Sequence, residues 1–172
     1  ALMMLATPGF VITKPVQSTQ NPAQFTADVL IANAAQVTAY GITLSVMGAP
    51  SGTTYDYVGT SPGANWTYLS GPAGLSGYSL QPTNFPLVGT KIGTVTATFP
   101  TIPSTPFRFS VAYDSQNTTV ALVNLDTDTG SLLGNNRSFS SLEWTPVASV
   151  SDVTAPVVSS VVYGSNDGRL AA

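Results

Sequence analysis

The feature that most restricts this chain is a two-residue alternation of apolar and polar side chains that recurs along most of its length. Phe25, Ala27, Val29 and Ile31 fall on one side of an extended segment. Tyr40, Ile42, Leu44 and Val46 repeat the pattern, as do Phe107, Phe109, Val111 and Tyr113. Successive side chains of a strand point to opposite faces, so this period of two describes half-buried β-strands. Further strands are expected at 9–16, 55–58, 66–69, 77–80, 91–99, 119–125, 138–144 and 157–163. Turn chemistry separates them: APSG (49–52), SPGAN (61–65), SGPAG (70–74), TIPSTP (101–106), DTDTG (126–130) and GNN (134–136). No long window carries a helical stripe free of Gly, Pro and β-branched residues, and residues 31–36 have room for one helical turn at most.

Short strands at this spacing predict an all-β antiparallel sandwich, a jelly roll of about nine core strands. Extended arms flank it. Residues 1–9 form an apolar N-terminal arm, 10–145 the sandwich, and 146–172 a linker followed by a C-terminal β arm bracketed by Pro146 and Pro156.

Charge is the next constraint. Five Lys/Arg and eight Asp/Glu make up 8% of 172 residues, against about 25% in an ordinary soluble domain. With no His and no Cys, histidine acid–base chemistry, thiol chemistry, disulfides and the usual zinc or copper sites are excluded. Scattered cations and a net charge of −3 cannot neutralise a phosphate backbone, which excludes nucleic acid as a partner. No apolar run approaches the ~20 residues that span a bilayer, and the apolar start ALMMLA lacks the basic n-region of a signal peptide. The Ser/Thr/Asn-rich, charge-poor balance points to the outside of a prokaryotic cell.

The order of features resembles the cohesin-like sandwich family, within the wider group of carbohydrate-binding-module-like β-sandwiches. The resemblance runs over about residues 10–144. It is carried by AQFTADVLIANAAQVTAYGITLSV (23–46), GLSGYSL (74–80), GTKIGTVTATF (89–99) and FRFSVAYDSQNTTVALVNLDTDTGSLL (107–133). It implies a nine-strand jelly roll. Family members usually follow the Tyr-Gly strand with an aspartate-led turn, whereas Met47–Pro50 stands here. The resemblance therefore transfers a fold and no partner-contact residues.

Chemistry-bearing clusters are few. Asp126 and Asp128 sit in the turn-like DTDTG, and Glu143 is the only glutamate. A glycosidase needs two carboxyl groups flanking a cleft, and a solvated turn does not provide it, so no catalytic residue and no cofactor are expected. Asp126 and Asp128 also resemble the opening of a calcium loop without its later ligands; asparagine and aspartate turn chemistry is the simpler reading. Tyr55, Tyr57, Trp66 and Tyr68 form i, i+2 aromatic pairs. Facing outward they would make a platform for sugar rings, and facing inward they would be core. Asn65, Asn117 and Asn136 each open an N-x-S/T glycosylation sequon in a turn-like region.

Two roles are open. In the first, the charge-poor sandwich is weakly defended against edge pairing. It self-assembles as a non-enzymatic extracellular filament, pilus or surface-layer subunit, one copy adding a terminal strand to the next. The assembly residues would be Leu2, Met3, Met4, Leu5 and Phe10, or Val157, Val158, Val161, Val162 and Tyr163, with copies of the same chain as partners. In the second, the chain is a cohesin-like binding module that grips a dockerin-type protein, or a glycan, on a sheet face.

Overall fold

The computed structural model describes residues 9–71, 74–111, 119–122 and 138–147. The described residues form strands and no helix: β1 (Gly9–Ile12), β2 (Val16–Gln17), β3 (Gln24–Ala32), β4 (Ala34–Ile42), β5 (Leu44–Val46), β6 (Thr54–Gly59), β7 (Trp66–Leu69), β8 (Leu75–Phe85), β9 (Thr90–Thr98), β10 (Phe109–Val111), β11 (Thr119–Leu122) and β12 (Ser138–Ser141). One sheet runs β12-β1-β3-β9-β6, with β2 paired to β3; the other runs β11-β4-β8-β7, and β10 pairs with β5. All pairings are antiparallel except β1 with β12, which lie parallel with Phe10 opposite Phe139. The fold is the expected all-β sandwich.

Alternation sets which residues meet between the sheets. Phe25, Ala27, Val29 and Ile31 of β3, Val95 and Ala97 of β9, and Tyr57 of β6 face Val37, Tyr40, Ile42 and Leu44 across a single apolar core. At one end this core is aromatic. The Phe25 ring lies 5.6 Å from Phe99, 5.0 Å from Phe107 and 4.7 Å from Trp144, centroid to centroid. Phe107 and Trp144 also exchange backbone hydrogen bonds of 3.1 and 2.9 Å, fastening the chain after β12 to the chain before β10.

The segment at 31–36 makes no helical turn. Asn33, with φ of 54°, is the single residue between β3 in one sheet and β4 in the other. Asparagine tolerates this left-handed conformation better than most residues. Gln36 follows with φ of 56° and is held by Asn84, whose Oδ1 accepts from its amide at 2.8 Å and from its Nε2 at 3.3 Å.

Phe10, expected in an N-terminal assembly arm, is 2% exposed. The reason is topological: β1 is hydrogen-bonded to β3 on one side and β12 on the other, so Phe10 and Ile12 point into the domain's own core. Leu2, Met3, Met4, Leu5, Val157, Val158, Val161, Val162 and Tyr163 lie outside the described residues, as do Asn117, Asn136, Asp126 and Asp128.

Candidate functional site

The aromatic platform does not form. Tyr57 is 2% exposed and Trp66 7%. Tyr57 donates its hydroxyl to the Leu44 carbonyl and accepts from the Leu44 amide, both at 2.8 Å. The half-buried Tyr55 accepts from the Val46 amide at 2.9 Å. Among the described residues β5 has a strand partner only in β10, so these phenols satisfy backbone groups of β5 that a second neighbouring strand would otherwise bond. Trp66 donates Nε1–H to Thr83 Oγ1 at 2.9 Å and packs against Tyr40 with centroids 5.3 Å apart. Burial pushes the hydroxyls of Tyr57 and Tyr40 up to about 12. Of the four aromatics only Tyr68 is substantially exposed, at 41%.

The two outer faces differ in chemistry. On β3, β9 and β6 the outward residues are mostly polar, Val58 at 57% exposure being an exception: Thr26 bonds Thr96 at 3.1 Å, Gln24 bonds Thr98 at 3.3 Å, and Lys91 pairs with Asp28 at 2.9 Å. Asp56 adds a further exposed charge on β6. By contrast β4, β7, β8 and β11 contain no Asp, Glu, Lys or Arg.

That uncharged sheet reverses the expected alternation in β8. Gly77 and Ser79 face inward, while Tyr78 is 55% exposed and Leu80 93%. The inner space is already taken. Tyr40 lies opposite Gly77, and a Cβ on Gly77 would stand 2.6 Å from the Tyr40 Cζ and hydroxyl oxygen. Small residues on β8 therefore make room for the large rings of β4 and β7, and its bulky apolar side chains turn to solvent.

Directly opposed residues share a face, so the outer surface can be read from the register. One row is Thr67, Tyr78 and Ala39; the next is Leu69, Ser76 and Gly41. Leu69 is 66% exposed. A ridge of Tyr78 and Leu69 along β7 and β8 thus borders a shallow floor of Ala39 and Gly41 on β4. Alternation alone does not reveal this ridge, because Leu75 and Tyr78 of GLSGYSL fall on opposite faces. The signal available in the sequence is the pairing of small residues at 77 and 79 with large ones at 78 and 80.

A separate cleft of about 230 Å³ opens at the aromatic end, between the Val46–Pro50 turn and the loop from Phe99 to Phe107, lined by Met47, Ile102, Pro103 and Pro106. Among the described residues no His/Cys/Asp/Glu cluster could hold a metal ion, and no helix is long and apolar enough to cross a membrane.

No protein-family model and no curated protein sequence matches the chain. Among solved structures it is similar to the second type II cohesin module from the adaptor ScaA scaffoldin of Acetivibrio cellulolyticus, at 10% identity and a TM-score of 0.51, over 86% of this chain and 96% of that one. The chain has a cohesin-like β-sandwich fold.

Proposed function

We propose that this chain is a non-catalytic, cell-surface binding module that docks a protein partner of the dockerin type on the outer face of the β11-β4-β8-β7 sheet. The observation that carries this reading is the exposure of bulky apolar side chains on neighbouring strands: Tyr78 of β8 and Leu69 of β7 stand beside Ala39 and Gly41 on a sheet whose strands hold no charged residue. A contiguous exposed apolar surface of this kind marks a docking site, and a tyrosine at its centre supplies large contact area with a polar tip. A protein fits the ridge better than a sugar chain does, since Tyr57 and Trp66 are buried. The cohesin-like fold supports the same role. The filament reading has no such support: Phe10 belongs to the core.

The test is binding of immobilised chain to a panel of dockerin-type proteins and glycans. Tyr78→Asp and Leu69→Asp should each weaken capture of a protein ligand at least tenfold, while Thr96→Asp on the opposite face leaves it unchanged. Glycan capture alone, or protein capture indifferent to Tyr78 and Leu69, overturns the reading.

A further inference from the structure

Among the described residues β7 is the outer strand of its sheet, and Thr67, Tyr68 and Leu69 are all exposed on it. Such an edge is a template for pairing with another chain, normally blunted by charge, proline or a covering element. The edge strand β6 carries Asp56; β7 has neither charge nor proline. Its first residues do hold a complete acceptor sequence, Asn65-Trp66-Thr67.

The geometry of that triplet suits a transferase. Asn65 and Thr67 are exposed, while Trp66 between them is buried and anchored by its 2.9 Å bond to Thr83. The acceptor amide and the hydroxyl are therefore both open to solvent, on either side of a buried ring. Asn65 lies within the turn closed by the Trp66 amide donating to the Gly63 carbonyl at 3.3 Å, and its Nδ2 donates to Gln81 Oε1 at 2.9 Å. A hydrogen bond in solvent is readily exchanged for water.

We propose that Asn65 is an N-glycosylation site whose glycan caps the β7 edge at its start. The reading rests on export of the chain, not on the identity of the docking partner. The donor is an oligosaccharide on a polyprenyl pyrophosphate. Asn65 Nδ2 bonds to the anomeric carbon as the bond to the pyrophosphate oxygen breaks. The leaving group takes that electron pair, and the amide proton passes to a base of the transferase.

The experiment is the intact mass of the full chain exported from a host carrying an oligosaccharyltransferase, with Asn117→Gln and Asn136→Gln leaving one acceptor and an accepting tag on the same chain as internal control. The expected result is one glycan beyond the tag, absent in Asn65→Gln, reduced at least tenfold in Thr67→Ala and retained in Thr67→Ser. The glycosylated chain should also self-associate less than the enzymatically stripped one. A modified tag beside an unmodified Asn65 overturns the site. Equal self-association of the two forms overturns the capping role.

Discussion

The Tyr57 hydroxyl stands 2.8 Å from both the amide nitrogen and the carbonyl oxygen of Leu44, accepting from the first and donating to the second. One phenol on β6 thereby satisfies two backbone groups on β5 across the gap between the sheets. Tyr57→Phe keeps the ring and orphans both groups, and a buried unsatisfied group costs roughly 1–3 kcal/mol. Chemical denaturation should show a loss of about 3 kcal/mol.

Tyr40 gives the opposite result from the same substitution. Its hydroxyl is buried with no hydrogen-bond partner among the described residues, so Tyr40→Phe removes a desolvated group and loses no bond. Stability should hold or rise by about 1 kcal/mol. A loss like that of Tyr57→Phe would show that the hydroxyl has a partner.

Both phenols predict an alkaline limit. Burial raises each from 10.0 to about 12, so between those values the unfolded chain has released protons that the folded chain keeps. The unfolded state then binds fewer protons, and unfolding free energy falls as pH rises. The stabilising contribution is intact below pH 10 and is lost by about pH 12, on the order of 2 kcal/mol for each group. Denaturation midpoints across that window should fall, and less steeply in Tyr40→Phe.

Gly93 tests how closely the layers approach. A Cβ there would meet the Val58 carbonyl oxygen at 2.5 Å and Leu75 Cδ2 at 2.7 Å. Backbone cannot yield as a side chain can, so Gly93→Ala should cost about 3 kcal/mol. Gly77→Ala meets the Tyr40 phenol instead and should cost about half as much, read from thermal or urea unfolding.

Ion pairs should contribute little by comparison. Lys91 and Asp28 are each 43% exposed at 2.9 Å, and exposed pairs contribute about 0.2–1 kcal/mol. Lys91→Met should therefore shift stability by less than about 1 kcal/mol. Trp144→Ala, which empties the aromatic end beside Phe25 and Phe107, should cost about 3–5 kcal/mol.

Legibility of the fold in the sequence follows its physics. β3, β6 and β9 were readable because a strand with one buried face must alternate. β4 was readable only from Tyr40 onward: its first half, AAQVTA, has few large side chains and contains Gln36 in a left-handed conformation. The docking ridge was hidden for a related reason. Gly77 and Ser79 face inward because Tyr40 and Trp66, distant in sequence, fill the space above them, and local alternation carries no information about cross-strand volume. Tyr55 and Tyr57 stayed open between surface and core because no local pattern shows that their hydroxyls reach the backbone of β5.

Asn33 alone separates β3 from β4. A connection one residue long has no slack, so the layers cannot slide past each other at that corner. At the far end the Phe107–Trp144 bridge and the tyrosine hydroxyls span the same gap. Held at both ends, the uncharged face has its shape before any partner arrives. Association there should lose little to rearrangement, with the structures before and after capture nearly superimposable.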